Sequence, residues 1–362
     1  MNHYASIAAA LEAENLDGVL LTGEANRFYA AGFFTPGEDA AALVTRKDAV
    51  FFTDARYTEA ASRCLEETEL REVKPGKGLT DQLREVLFLK GVHRLGFEDA
   101  SMSVRSFRRL EKALSEEKAP PALLPASEAL LKLRQSKDAE ELRRLEAAQG
   151  IAERALEDIL KEIRPGVTER EIAARLQYLM LHYGASDMSF DPIVVSGPNG
   201  SLPHGVPSEK EIQSGEFVTM DFGCVYGGYC SDMTRTVAVG SVTEEMERVY
   251  KTVLAAQEAG IAAVRAGVSG RAVDAAARSV IEAAGWGECF SHSFGYGVGV
   301  EIHEAPSAAS SSESPLPAGA VISAEPGIYI PGRLGVRIED VVLVTPEGCR
   351  NLTKAPKDLT VL

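Results

Sequence analysis

The sequence has few cysteines and no long apolar run, and each scarcity excludes a class of protein. Its five cysteines are odd in number and form no CxxC pair, which argues against a disulfide framework or a zinc knuckle. No apolar run approaches the roughly 18 residues of a membrane span, and no signal peptide is recognisable. A cytoplasmic protein with reduced thiols and no membrane partner is therefore predicted.

Positive charge is also scarce. Lys and Arg total 38 against 53 Asp and Glu, which gives a formal net charge of −15. Nucleic acids and anionic membranes bind basic surfaces, so neither is expected as a partner. The 45% hydrophobic and 25% charged residues are ordinary for globular proteins, and 362 residues predict about two domains.

The first domain is predicted to be an α/β unit spanning residues 1–125. An amphipathic helix precedes strands at 18–22, 41–45 and 49–53, and helical patterns follow them. The paired prolines Pro120 and Pro121 favour an extended linker after these elements. Residues 126–362 then form the second domain, which contains the candidate catalytic residues.

The second domain contains a weak internal repeat. Gly166-Val167-Thr168 opens a helix after a long helix, and Gly267-Val268-Ser269 does the same 101 residues later. Strands that carry acidic residues follow each helix pair. Two αα-ββ halves related by a pseudo-twofold axis are the simplest architecture; the alternative is chance similarity between two helix starts.

The stretch from residue 217 to 236 is predicted to be a β-hairpin. Its strand-like runs flank Gly227-Gly228, and such glycine pairs tolerate the positive φ of a two-residue turn. With that turn, Asp232 lies opposite Gly223, and Asp221 becomes its diagonal neighbour, roughly 6–7 Å away at Cα on the same face. Two carboxylates this close repel unless they share a proton or a cation, and a divalent metal is the usual reason for the pairing.

Two further acids end apolar strands in the C-terminal half. Glu325 follows one such run and Glu339 precedes another. Buried acids are costly unless they are paired, and four of them exceed what proton sharing requires, so a site for two cations is indicated. For each acid taken singly, a salt bridge is the alternative interpretation.

Histidines and glycines complete the set of candidate site residues. His204 lies in a predicted loop, and His292 and His303 flank a run in which Gly295, Gly297 and Gly299 alternate. Alternating glycines leave one face of a strand bare, so that a ligand or another backbone can approach.

The second domain contains, in this order, Pro203-His204, Asp221-Phe222-Gly223, Ser231-Asp232, His303-Glu304-Ala305-Pro306, Glu325-Pro326-Gly327-Ile328-Tyr329 and Val336-Arg337-Ile338-Glu339-Asp340. Together these motifs resemble the pita-bread metallopeptidases, specifically the Xaa-Pro aminopeptidase and prolidase branch. The resemblance covers nearly the whole chain and implies a creatinase-type N-terminal α/β domain followed by a catalytic pita-bread domain. It also implies a homodimer that acts on proline-containing peptides.

The resemblance also implies roles for these residues. Asp221 would chelate one metal, Asp232 and Glu339 would bridge two, and Glu325 would bind the second metal and shuttle a proton. A hydroxide bridging the metals would attack the Xaa-Pro bond. His204 and His303 would act on the substrate side, Arg337 would steady the ligands and Tyr329 would belong to the site.

One position departs from the family pattern. Tyr296 stands where the family has a histidine, the only nitrogen ligand of the metal pair. An all-oxygen set favours hard ions such as Mn²⁺, Mg²⁺ or Ca²⁺ over Zn²⁺, and Mn²⁺ is our prediction. Three outcomes are open: Tyr296 ligates directly, the site holds one metal with low activity, or peptidase function is lost.

The function predicted is therefore metal-dependent hydrolysis of Xaa-Pro bonds, weakened by Tyr296. The alternative is a pita-bread pseudoenzyme that binds a peptide or partner without cleaving it. A metal-free amidinohydrolase resembling creatinase is a third interpretation. It is disfavoured because that branch does without the metal carboxylates, which this chain retains.

Overall fold

The computed structural model describes residues 2–362, which divide into two compact units. The N-terminal unit ends at Arg134 and the C-terminal unit begins at Gln135. The boundary predicted from the sequence, after residue 125, precedes the last helix of the N-terminal unit.

The N-terminal unit is a mixed six-stranded sheet with strand order β4-β3-β2-β1-β5-β6. Strands β1, β2 and β3 pair antiparallel, whereas β3–β4, β1–β5 and β5–β6 pair parallel. This confirms the predicted α/β unit and its first three strands. Its elements are α1 (Tyr4–Ala13), β1 (Gly18–Leu21), α2 (Glu24–Ala31), β2 (Ala40–Thr45), β3 (Ala49–Asp54), α3 (Ala55–Cys64), β4 (Thr68–Val73), α4 (Leu79–Leu89), β5 (Arg94–Phe97), α5 (Val104–Ser115), β6 (Ala122–Pro125) and α6 (Ser127–Gln135).

Both faces of this sheet are covered. Side chains alternate along each strand, so Val19 and Leu21 enter one apolar cluster while Leu20 enters another on the opposite face. Phe51 and Phe52 divide between the same two clusters. Strands buried on both faces explain why these runs are continuously apolar in the sequence.

The C-terminal unit combines two helix pairs with several antiparallel sheets. One sheet has the order β12-β9-β8, another has the order β14-β13-β15-β18-β19, and short 3-10 helices occur at Gly197–Ser201 and Gly287–Cys289. Its elements are α7 (Ala139–Ile159), α8 (Glu169–His182), β7 (Asp187–Met188), β8 (Ile193–Ser196), β9 (Glu216–Phe222), β10 (Cys224–Tyr226), β11 (Tyr229–Cys230), β12 (Met233–Val239), α9 (Glu244–Ala263), α10 (Gly270–Ala283), β13 (Gly295–Gly297), β14 (Glu304–Ala308), β15 (Val321–Ala324), β16 (Gly327–Ile330), β17 (Leu334–Arg337), β18 (Asp340–Val344) and β19 (Cys349–Asn351).

The two halves of this unit repeat one backbone arrangement. Gly166 N–H donates to the Ile212 carbonyl at 3.0 Å, and Gly267 N–H donates to the Leu316 carbonyl at 2.9 Å. Both glycines have positive φ, 89° and 83°, and Thr168 and Ser269 then cap α8 and α10 with their side chains. The predicted pseudo-twofold pairing of αα-ββ halves is confirmed.

The predicted hairpin is also confirmed. Gly227 and Gly228 form its turn with φ of 57° and 82°, and Tyr226 pairs with Tyr229. The same register continues into the longer β9–β12 pair, where Thr234 lies opposite Asp221. Because no bulge interrupts the register, Asp221 and Asp232 stay on one face.

Two glycines of this unit are expected to respond oppositely to alanine. A Cβ at Gly223 would overlap the carbonyl oxygen of Ser231, so Gly223→Ala should lower the free energy of unfolding by about 1–3 kcal/mol. Gly150 lies inside α7 with no neighbour within 4 Å of an added Cβ, so Gly150→Ala should raise it by about 0.4–1 kcal/mol. Urea unfolding of both variants measures the difference, and a stabilising Gly223→Ala would contradict the close approach.

No helix among residues 2–362 has both the length and the apolar character needed to cross a bilayer.

Candidate metal centre

Three buried carboxylates converge at the middle of the C-terminal unit. Asp221 lies near the end of β9, Asp232 just before β12, and Glu339 in the turn between β17 and β18. One oxygen from each lies within 4.8 Å of the others. Their residues are 9%, 0% and 1% exposed, respectively. The sequence-predicted aspartate pair is thus brought together with a glutamate from the second half of the unit.

Each of these carboxylates has one oxygen held by a protein donor. Arg337 Nη2 donates to Asp221 Oδ2 at 2.6 Å, Tyr296 OH donates to Asp232 Oδ2 at 2.8 Å, and Thr234 Oγ1 donates to Glu339 Oε2 at 2.7 Å. The other oxygens, Asp221 Oδ1, Asp232 Oδ1 and Glu339 Oε1, are buried without a hydrogen-bond partner. A buried acceptor without a partner costs roughly 1–3 kcal/mol, more if it is charged. Three such atoms in one cluster indicate a site suited to a cation.

The fourth predicted acid lies beside this cluster rather than within the 4.8 Å group. Glu325 follows β15, is 8% exposed, and accepts a hydrogen bond from Ser323 Oγ to its Oε1 at 3.1 Å. Burial, followed by the charge of Glu339, raises the pKa of Glu325 well above its usual range. It is therefore electrostatically part of the cluster.

Asp232 and Glu339 are strongly disfavoured as anions when no cation is bound. Burial, followed by the charges of Asp221 and Glu325, raises the pKa of Asp232 well above its usual value. Burial, followed by Asp232 and Asp221, does the same for Glu339. A divalent cation would reverse both effects, because it replaces lost hydration and opposes the mutual repulsion.

Arg337 connects the cluster to the cavity wall. It is 3% exposed, and besides Asp221 its guanidinium donates to Thr234 Oγ1 at 3.1 Å and to Tyr329 OH at 2.8 Å. Thr234 in turn donates to Glu339, so one guanidinium and one hydroxyl orient two of the three carboxylates. Sequence reasoning missed Thr234, although its register position opposite Asp221 was a usable signal.

A further chain of hydrogen bonds begins at Tyr329. His292 Nε2 lies 2.8 Å from Tyr329 OH, and its Nδ1 lies 2.9 Å from the Ser293 carbonyl oxygen. Because a carbonyl only accepts, Nδ1 carries the proton and Nε2 accepts from the phenol. Burial, followed by Arg337, lowers the pKa of His292 to about 4, so the imidazole is neutral. His292 thus positions Tyr329 and is not brought into the carboxylate cluster.

A cavity of about 410 Å³ opens onto these groups. Its lining includes the two substrate-side histidines predicted from the sequence, His204 and His303, and the volume is typical of a small-molecule site. Burial lowers the pKa of His303, which therefore stays neutral near pH 7. The remaining lining residues are Phe190, Asp191, Ile193, Pro203, Asp221, His292, Ser293, Tyr296, Ile302, Glu325 and Arg337.

The alternating glycines allow other parts of the chain to pack closely. A Cβ at Gly295 would overlap the Ser323 carbonyl oxygen, and one at Gly299 would overlap the Glu304 side chain. The sequence left open whether a ligand or another part of the backbone lies against the bare strand face. At these two positions, protein atoms lie against it. The packing fixes Tyr296, whose ring meets the His303 ring edge to face with centroids 4.1 Å apart.

The donor set fits a hard divalent cation. It consists of carboxylate oxygens with three orphaned acceptors, and carboxylate oxygen is the preferred ligand of such ions. Buried carboxylate clusters beside a cavity lined by histidines are typical of metal-dependent hydrolases.

The chain belongs to metallopeptidase family M24. The description "Metallopeptidase family M24" matches residues 143–346, and "Creatinase/Prolidase N-terminal domain" matches residues 4–136. The predicted family, the predicted two-part fold class and the prediction of an enzyme are confirmed, and the family implies a divalent metal.

Relatives match along nearly the whole length. An uncharacterized peptidase of Bacillus subtilis is 41% identical over 347 residues, covering 96% of each protein. A Xaa-Pro dipeptidase of Pyrococcus furiosus is 37% identical, covering 96% of this chain and 97% of that protein. The solved structure of a Xaa-Pro dipeptidase from Bacillus anthracis superposes with a TM-score of 0.92 at 42% identity, covering 99% of both chains. An X-Pro aminopeptidase structure from Thermotoga maritima has a TM-score of 0.90 at 35% identity, covering 98% of this chain and 100% of that one.

Proposed function

We propose that this protein hydrolyses Xaa-Pro peptide bonds with a divalent metal held by Asp221, Asp232 and Glu339. The observation that carries the proposal is the set of three orphaned, buried carboxylate oxygens beside the cavity. The relatives supply the substrate class, because proteins named Xaa-Pro dipeptidase and X-Pro aminopeptidase match over nearly the whole chain.

The metal would be held by the three orphaned oxygens, with Glu325 as a further acid beside them. An all-oxygen set favours Mn²⁺ among the transition metals over Zn²⁺. When bound, the metal supplies Lewis-acid activation of water and of the scissile carbonyl. Arg337 and Thr234 would keep the carboxylates oriented, because each holds one oxygen of its carboxylate and leaves the orphaned one for the ion.

Glu325 and two histidines would transfer the proton and stabilise the carbonyl oxygen during hydrolysis. Water adds to the carbonyl carbon, the C–N bond breaks, and Glu325 carries a proton from water to the proline nitrogen. Ser323 occupies its Oε1, which leaves Oε2 for that proton. His204 and His303 line the cavity as candidate donors to the carbonyl oxygen as it gains charge. Tyr329 does not line the cavity; it is held by Arg337 and His292, which do, and would act on the substrate through them.

A peptide panel tests this proposal. We expect Mn²⁺-dependent release of proline from Xaa-Pro dipeptides, no release in chelator, and no cleavage of the matched Xaa-Ala dipeptides. Tripeptides that begin Xaa-Pro, run in parallel, show whether longer substrates are accepted.

Two results would overturn the assignment. Cleavage undiminished in chelator would remove the metal from the reaction. Saturable binding of Xaa-Pro peptides without proline release would favour the non-hydrolysing alternative, which Tyr296 motivates. Family resemblance also motivates a homodimer, and size-exclusion chromatography with light scattering tests the oligomeric state.

A further inference from the structure

Tyr296 holds one oxygen of Asp232, a carboxylate that would otherwise have two unheld oxygens to offer to metal ions. A carboxylate most simply bridges two ions by offering one oxygen to each. Tyr296 OH donates to Oδ2 at 2.8 Å, which leaves only Oδ1 free. We propose that Tyr296 makes this a one-ion centre. The inference rests on the proposed role of the carboxylates as metal ligands.

The free donors converge on a single ion. Asp221 Oδ2 and Glu339 Oε2 are held by Arg337 and Thr234, just as Asp232 Oδ2 is held by Tyr296. Each carboxylate therefore has one oxygen available, and these three oxygens are the buried atoms without a partner. One oxygen from each of the three carboxylates lies within 4.8 Å of the others, so the three acids can supply ligands to a single ion. Water or substrate would supply the remaining ligands.

Tyr296 is fixed in place by contacts on several sides. Its backbone N–H donates to Ser323 Oγ at 3.1 Å, and its ring packs edge to face against His303. Gly295 and Gly297 on either side have no room for a side chain, because backbone atoms of neighbouring strands lie against them. The ring therefore has little freedom to swing away and release Asp232.

The phenol is also a poor ligand in its own right. A neutral phenol oxygen binds metal weakly, so coordination would require loss of the proton. The proton instead lies in the 2.8 Å hydrogen bond from the hydroxyl to Asp232 Oδ2. The hydroxyl thus acts as a hydrogen-bond donor to a metal ligand. A histidine at this position would instead offer a neutral nitrogen as a ligand.

Metal stoichiometry tests the inference without any activity measurement. The metal-stripped full chain is titrated with Mn²⁺, and bound ions per chain are counted from the loss of the free-ion electron paramagnetic resonance signal. We expect one ion per wild-type chain and two per Tyr296→His chain. Tyr226→His is the matched control, because Tyr226 is 41% exposed at the hairpin turn, and it should bind one.

Ultraviolet difference absorption during the same titration reports tyrosinate. No tyrosinate band should appear when Mn²⁺ binds the wild type. A band that is lost in Tyr296→His would show Tyr296 acting as a phenolate ligand and would overturn the inference.

Each stoichiometric outcome decides a different claim. Two ions per wild-type chain would overturn the one-ion inference and leave the proposed function standing. No bound ion would overturn both. Two ions per Tyr226→His chain would show that the gain of a second bound ion is not specific to position 296. If Tyr296→His fails to fold, the wild-type count and the tyrosinate measurement still decide.

Discussion

Replacing Asp232 by asparagine should lower metal-dependent Xaa-Pro hydrolysis about a thousandfold. Asparagine keeps the shape and can still accept the Tyr296 hydrogen bond through its one oxygen. Its amide N–H₂ would then stand where the orphaned Oδ1 faces the metal position. A metal supplies several kcal/mol of transition-state stabilisation, and each 1.36 kcal/mol is about a factor of ten in rate.

Thermal unfolding with and without Mn²⁺ separates metal loss from misfolding. The metal binds the native state only, so it should raise the unfolding temperature of the wild type and leave that of Asp232→Asn unchanged. Glu347→Gln is the control, since this exposed carboxylate lies in the turn between β18 and β19, away from the cluster. An Asp232→Asn variant with unaltered Mn²⁺ affinity would show that the orphaned oxygen is not a ligand.

Replacing Arg337 by methionine should impair both stability and metal binding. The guanidinium is buried and pairs with Asp221, and removing one partner of a buried ion pair costs about 3–5 kcal/mol. Groups that orient metal ligands typically contribute roughly 10–100-fold in affinity or activity. We therefore expect a lower free energy of unfolding in chelator and a Kd for Mn²⁺ raised by about that factor.

Arg337→Lys separates charge from geometry. Lysine keeps the positive charge but donates from a single nitrogen. It therefore cannot reach Asp221, Thr234 and Tyr329 together. Urea unfolding should show most of the stability restored, while calorimetric titration with Mn²⁺ should show the affinity still reduced. Equal Mn²⁺ affinity in all three proteins would contradict an orienting role.

The sequence predicted the aspartate pair because hairpin geometry is local. Two glycines fix the turn, the side-chain period is two, and an uninterrupted register carries Asp232 opposite Gly223. Glu339 could be associated with this pair only through the internal repeat and the family resemblance, because its position depends on strands far away in the chain. The two helix pairs were predictable for the same reason as the hairpin, since capping residues and glycines mark their starts.

The hydrogen bonds within the site could not be predicted from the sequence. Which oxygen of each carboxylate is held, and which is left without a partner, depends on side-chain directions set by several strands. The pairing of β13 with β14 shifts register between Tyr296 and Gly297, and no sequence pattern signals that irregularity. Tyr296 could be identified from the sequence as a departure from the family pattern. Its hydrogen bond to Asp232 is evident only in the folded structure, because the two residues are far apart in the chain.

The carboxylates of the candidate metal centre come from both halves of the pseudo-twofold arrangement, so the complete centre forms only when both halves have folded. Asp221 and Asp232 come from the first half of the C-terminal unit and Glu339 from the second, so neither half alone holds the three proposed ligands. An unfinished or half-folded chain therefore offers a cation at most the two hairpin aspartates, and the third carboxylate is added only when the second half folds. Tight ion binding is thus expected to follow completion of the chain, which would keep a nascent peptidase inactive until that half is in place.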